Sequence, residues 1–336
     1  MDSIKIAFCD FPGPFNPEKI IKLLKKRFYI VIDQKDPDYL IYSVAGSKFY
    51  NFGKNVVRIF FTGENIIPDF NLCDYAFGYA WLEFGDRYYR WPNYQFYDQY
   101  HELLERRFSL GPTQSLNDDE KRFCNFIYTQ KHGHPFRDQL FYRLHEYQFV
   151  DSVGLHLKNI DTDIGSAYMG DWTKPKVEFQ RRYDFTIACE NSSSPGYTTE
   201  KIVHAFAADT IPIYWGNPEI SREFNPGRFI NCHDYDSIES VVARVIEIQK
   251  NPQEKEKILR QPFFPNNQDL LSLSDQAILN QFSRIFAQDK DKAMRRNRYL
   301  WGARYEDDRF TQSQATKFLH SAGLRGRLSR ILMNLR

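Results

Sequence analysis

Short apolar runs alternate along this chain with segments whose apolar residues recur at helical spacing. This pattern predicts an α/β protein built on mostly parallel sheets. In the first third, Ile4–Cys9, Tyr29–Ile32, Tyr39–Val44, Val56–Phe61 and Cys73–Tyr79 read as strands. Pro17, tolerated in a first helical turn, opens a helix carrying Ile20, Ile21, Leu23, Leu24 and Phe28. Residues 98–120 are polar, with Gly111-Pro112 and Asn117-Asp118-Asp119-Glu120 as breakers, and read as a domain boundary. The expected division is 1–112 for a first domain, 119–294 for a second and 295–336 for a basic tail.

In the second domain, Phe123–Tyr128 reads as a strand, Gln130–Pro135 as a loop and Phe136–Tyr147 as a helix, before a less regular stretch, Lys158–Pro175. The most regular stretch is Tyr183–Gly216. Its strand Phe185–Cys189 runs into a polar loop, Glu190–Gly196. A helix bearing Ile202, Val203, Ala205, Phe206 and Ala208 follows, then a strand, Ile211–Trp215. Such a β–loop–α–β unit of about 30 residues has the size of a parallel crossover. Phe229–Cys232 reads as another short strand, and Ser237–Ile248 as a helix.

The tail differs in character, with a net charge of +7 from Arg295 to Arg336. There Leu324, Leu328, Ile331, Leu332 and Leu335 form an apolar stripe flanked by Arg325, Arg327, Arg330 and Arg336. The stripe reads as a basic amphipathic helix, suited to an anionic bilayer surface or to docking on the body.

Composition narrows the class. A length of 336 residues fits two domains, and 42% hydrophobic with 26% charged residues is globular. The net charge of +2 argues against general nucleic-acid binding. Cys9, Cys73, Cys124, Cys189 and Cys232 are scattered, odd in number and set in apolar runs, so they read as reduced core residues. With no long apolar run and no signal peptide read at Met1, the expected location is cytoplasmic, peripheral at the inner membrane through the tail.

Candidate chemistry gathers at the start of the helix after Glu190. Unpaired N–H groups and partial positive charge make a helix N-terminus receptive to anions such as phosphates. Glu200 suits a first turn, but Lys201 there opposes the dipole unless an anion binds. Arg137, in the first turn after the Gln130–Pro135 loop, poses the same question. Both also admit the plainer reading of solvated surface cations. Thr62-Gly63-Glu64-Asn65 follows a strand, and in open α/β sheets ligands bind beyond the carboxyl ends of strands. Glu64 there could take a proton from a hydroxyl or simply be solvated. His132 and His134 have no further ligand at metal spacing, so no metal is expected.

Glu190-Asn191-Ser192, Tyr197, Thr199-Glu200-Lys201, Ala205-Phe206 and Ile211-Pro212-Ile213 with Gly216 together resemble the signature of the α1,3-fucosyltransferases, glycosyltransferase family 10. The Ile-Pro-Ile-Tyr-Trp-Gly ending is most similar to the bacterial, Helicobacter-type members. Cys189 departs from the usual Phe before Glu-Asn. Thr62-Gly-Glu-Asn65 with Pro68-Asp69-Phe70 and Asp74-Tyr75-Ala76 extends the similarity. So do Asp86-Arg87-Tyr88, Arg90 and Pro92, and later Phe224-Asn-Pro and Phe229-Ile-Asn. The heptad repeats common in Helicobacter-type members are missing, so no oligomeric state is implied.

The resemblance implies the GT-B architecture, two Rossmann-like domains facing a cleft, with acceptor and Glu64 on the first and GDP-fucose on the second. It implies transfer of L-fucose, with inversion, to the 3-hydroxyl of GlcNAc or Glc in a lactosamine-type glycan, giving Lewis-type epitopes on bacterial lipopolysaccharide. Glu64 is then the general base and Glu200 stabilises oxocarbenium-like charge. Arg137, Asn191, Tyr197 and Lys201 hold the donor, without a cofactor or metal. A GT-B transferase of another donor or linkage, such as α1,4, and a non-catalytic carbohydrate-binding protein are the alternatives.

Overall fold

The computed structural model describes residues 3–13, 17–108, 121–162, 172–265 and 274–321. The chain divides into two compact units, one of residues 1–78, 83–89 and 275–336, the other of 79–82 and 90–274.

The first unit begins with β1 (Ile4–Cys9), α1 (Glu18–Lys25), β2 (Ile30–Ile32), β3 (Tyr39–Tyr42), β4 (Val57–Phe61), β5 (Tyr75–Gly78) and β6 (Tyr88–Arg90). The sheet order is β2-β1-β3-β4-β5-β6, and the pairs from β2 to β5 are parallel. Every residue of β3, β4 and β5 is buried, as expected for strands covered on both faces.

The second unit carries α2 (Asp98–Glu105), β7 (Arg122–Phe126), α3 (Pro135–Tyr147), β8 (Val150–Ser152), α4 (Thr173–Gln180), β9 (Tyr183–Cys189), α5 (Glu200–Ala207), β10 (Ile211–Trp215), β11 (Ile230–Asn231), α6 (Ile238–Gln249) and α7 (Pro252–Leu259). Its sheet runs β11-β10-β9-β7-β8 with parallel pairing throughout. β9 and β10 are buried along their whole lengths. The central crossover β9–α5–β10 therefore has the limits read from the sequence to within two residues.

The chain then returns to the first unit through α8 (Asp275–Phe286), α9 (Lys290–Ala293) and α10 (Leu300–Ser321). Phe282 of α8 stacks on Phe77 at 4.6 Å, and Phe286 meets Phe28 and Tyr39 at 5.1 and 4.6 Å. Arg296 forms a fully buried ion pair with Asp74, and Glu306 of α10 pairs with buried Arg58 at 2.7 Å.

Two sequence expectations thus change. Residues 275–294 complete the first unit rather than the second, because the apolar stripe Ile278, Leu279, Phe282 and Ile285 matches the first sheet. The boundary expected at 98–120 is partly helix: α2 buries Gln99, Tyr100 and Leu103, and Tyr100 and Leu103 share a core with Ile202, Val203 and Phe206 of α5. At the start of the basic tail, Arg295 and Arg296 dock on the body, their N–H groups donating to Asp74. The stripe from Leu324 to Leu335 lies outside the described residues. Among the described residues, no helix is long and apolar enough to cross a membrane.

Candidate active site

The loop between β9 and α5 is organised by a carboxylate the sequence reading left without a role. Glu190 is fully buried one residue past β9. It accepts hydrogen bonds from Thr199 N and Thr199 Oγ1, both at 2.7 Å, and from Lys201 Nζ at 2.9 Å. Gly216 makes the room: a Cβ there would lie 2.7 Å from Glu190 Cβ and closer still to Cγ, and its φ is +156°. Lys201 is no solvated surface lysine, its side chain being 15% exposed. Burial opposes its charge, yet the carboxylates of Glu190 and Glu200 hold its pKa well above the ordinary value. The ammonium also donates to Thr199 Oγ1 at 3.0 Å, so one of its three N–H groups remains for a ligand.

The rest of the loop is pinned from beneath. Asn217, fully buried, accepts from Gly196 N at 2.8 Å and donates to Thr198 Oγ1 at 3.1 Å. Gly196 has a φ of +82°, and a Cβ there would meet Tyr79 O at 2.7 Å, so glycine is required on two counts. Arg90 donates to Tyr79 O and Gly196 O and is ion-paired with buried Glu223. The Tyr197 ring is buried edge-on against Tyr79 at 5.1 Å.

Arg137 lies in the first turn of α3, whose N-cap is His134 Nδ1, accepting from Phe136 N at 3.2 Å. Its guanidinium is fully buried, with Nε on Asp138 at 2.9 Å and the carbon of the guanidinium 4.7 Å above the Tyr128 ring. Nη1 has no hydrogen-bond partner among the described residues. A buried guanidinium N–H left unsatisfied costs about 1–3 kcal/mol and calls for an explanation. Gly133 packs so closely that a Cβ would lie 2.7 Å from Nη1. His134 N donates to Asn191 O at 2.9 Å, which brings the Arg137 loop to the Glu190 loop. Tyr128 Oη accepts from Cys189 N at 2.7 Å and has its single proton within reach of both Ile187 O and Cys189 O, locking the end of β9.

Glu200 opens α5, partly buried. Burial works against its ionisation, but Lys201 and Lys176 bring its pKa down to about 2, so it is an anion at neutral pH. Lys176 of α4 is itself buried, and desolvation lowers it to about 8 against the pull of Glu200. His204, one turn along α5, is fully buried between Tyr97 and Trp172 and held neutral by desolvation. Arg137, Asn191, Tyr197, Glu200 and Lys201 are therefore gathered on the second unit.

Glu64 belongs to the first unit, where it follows β4 and is exposed. Its N–H donates to Thr62 Oγ1 at 2.9 Å, a side-chain-closed turn that presents the carboxylate outward. No group of three or more metal-ligating side chains occurs among the described residues.

Residues 6–97 match the α-(1,3)-fucosyltransferase FucT N-terminal domain, and residues 117–260 match the carboxyl-terminal part of glycosyltransferase family 10, the fucosyltransferases. The chain is similar to α-(1,3)-fucosyltransferase FucT of Helicobacter pylori, with 29% identity over 279 residues. That alignment covers 71% of this chain and 56% of the relative, so the chain spans about half the length of that protein. A crystal structure of α1,3-fucosyltransferase superposes with a TM-score of 0.71 and 23% identity, covering 89% of this chain and 93% of the other. One with GDP-fucose gives 0.68 and 24%, covering 85% and 91%. At these identities the structures speak for a shared α/β fold. The two family matches, together spanning most of both sheets, and the signature loop now built around Glu190 lead to one conclusion: the chain belongs to glycosyltransferase family 10, the fucosyltransferase family.

Proposed function

We propose that this chain transfers L-fucose from GDP-fucose, with inversion, to the 3-hydroxyl of GlcNAc or Glc in a lactosamine-type glycan. The observation that carries the donor half is the buried Arg137 guanidinium with Nη1 unsatisfied, on a loop joined to the Glu190 loop. A diphosphate would supply the missing acceptor, and the remaining N–H of Lys201 with the α5 N-terminus would share its charge. These groups neutralise the leaving GDP, so the chemistry needs no metal.

Glu200, ionised near neutral pH, stabilises positive charge developing on the fucose ring, and Asn191 and the chain around Tyr197 contact the donor. Glu64, exposed and without a side-chain hydrogen bond to the described residues, removes the proton from the acceptor hydroxyl, a role worth about 10²–10⁴-fold. The basic stripe from Leu324 to Leu335 would hold the enzyme at the inner face of an anionic membrane, where lipopolysaccharide precursors bearing Lewis-type epitopes are made.

The test is GDP release on mixing the protein with GDP-fucose and N-acetyllactosamine in EDTA, with linkage analysis of the product. Acceptor-dependent release yielding an α1,3-fucoside, falling at least about 100-fold in Glu64→Gln, is expected. Near-wild-type transfer by Glu64→Gln would remove the base, and release that requires a metal would remove the proposed neutralisation.

A further inference from the structure

The first unit holds a pocket of about 460 Å3 at the carboxyl end of β1, lined by Asp10, Gln34, Lys35, Lys48, Asn51 and Phe52 among others. In the order β2-β1-β3-β4, the connection after β1 runs to β2 on one side and the connection after β3 runs to β4 on the other, which makes the carboxyl ends of β1 and β3 a topological switch point, where open α/β sheets bind ligands.

Its walls are built rather than accidental. Asp10 sits at φ +60°, an uncommon conformation outside glycine. Its two carboxylate oxygens accept from Lys48 N at 3.1 Å and Phe49 N at 2.9 Å. That fixes the start of the 3₁₀ turn Lys48–Phe52, in which residues three apart eclipse, so Lys48 and Asn51 share one edge. On the opposite side Asp33 accepts from Lys35 N and Asp36 N, closing the turn that carries Gln34 and Lys35. Neither the Lys35 nor the Lys48 ammonium makes a hydrogen bond or ion pair with a described side chain, whereas the neighbouring Lys5 is committed to Asp33 and Asp36. With Asp10 tied to backbone N–H groups, the pocket offers two available cations, two amides and an aromatic wall.

The pocket is also connected to the Glu64 turn. Phe8 on its wall, Phe11 and Phe61 form a row of rings with centroids 6.3 and 6.2 Å apart, and Phe61 directly precedes Thr62. β1 and β4 are separated only by β3, about 10 Å across two strand spacings. A short oligosaccharide spans that length.

We propose that this pocket is a subsite for an acidic saccharide, holding a carboxylate or phosphate group of the acceptor between Lys35 and Lys48. The hydroxyl to be fucosylated then lies at Glu64. The placement of that hydroxyl rests on the function proposed above; the anion-binding pocket itself does not.

The test is calorimetric binding, without donor, of N-acetyllactosamine, its sialylated form and its phosphorylated form. At least one acidic form should bind about fivefold or more tightly than the neutral one. That preference should shrink with salt, and fall towards unity in Lys35→Gln/Lys48→Gln, whose unchanged melting temperature would show an intact fold. Which acidic form is favoured tells carboxylate from phosphate. Equal binding of all three, binding of none, or a preference that survives the double substitution would overturn the subsite. A chain that prefers the acidic saccharide but transfers no fucose would overturn the function and leave the subsite standing.

Discussion

Glu190→Gln changes almost no volume yet should undo the loop that carries the donor residues. Glutamine has one carbonyl oxygen, which can keep Thr199 N. Its amide nitrogen would then face Thr199 Oγ1 and Lys201 Nζ, and it cannot accept from the ammonium. Removing one partner of a buried pair costs about 3–5 kcal/mol. Lys201 is 15% exposed, so water recovers part of this, leaving about 3 kcal/mol. For a unit of this size that corresponds to a fall of about 9 °C in Tm.

Urea denaturation and scanning calorimetry of the purified variant measure it. Glu190→Gln/Lys201→Met removes both charges and should return stability to within about 1 kcal/mol of wild type. Donor affinity, measured by GDP-fucose titration, should stay lost in the double variant, because the free N–H of Lys201 is gone. A single variant within about 0.5 kcal/mol of wild type would show that the pair does not hold this loop.

Gly216→Ala should destabilise by about 2 kcal/mol, since its Cβ would press on Glu190; wild-type stability in the same urea titration would mean the contact yields. Lys176 should give a pH signature: because burial lowers its folded pKa to about 8 from 10.5, the unfolded chain binds more protons between those values. Its contribution to stability therefore grows as pH rises from 8 to 10.5, by roughly 2–3 kcal/mol at most. The difference in unfolding free energy between wild type and Lys176→Met should change across that window, and a flat difference would contradict the buried charge.

The crossover from Tyr183 to Gly216 was legible because its strands and helix are dominated by apolar residues and are buried almost throughout, with a polar loop between them. α2 was not, since Asp98, Gln99, His101, Glu102 and Glu105 mask the few apolar residues that pack on α5. Arg137, Asn191, Tyr197, Glu200 and Lys201 were named from a signature, and the structure gathers them on one unit. What the letters hide is which groups neutralise which. Glu190 reads as the first letter of a loop motif, yet it ties Thr199 and Lys201 together. Spacing cannot show that Arg137 is buried with an unsatisfied N–H, nor that Arg58 finds Glu306 some 250 residues later. Both depend on partners that only tertiary packing assembles.

The return of α8–α10 to the first sheet sets an order of events at the ribosome. Synthesis exposes β1–β5 first, but Phe77, Asp74 and Arg58 must wait for Phe282, Arg296 and Glu306. The second unit, almost continuous from residue 90 to 274, has its full set of strands before the first unit can close. Folding during translation thus runs against the usual amino-terminus-first direction. For most of that time the first sheet carries exposed apolar surface, Arg58 without its acid and Asp74 without its arginine. A ribosome stalled between residues 274 and 306 would hold such a chain, with its second unit complete and its first still open to chaperones.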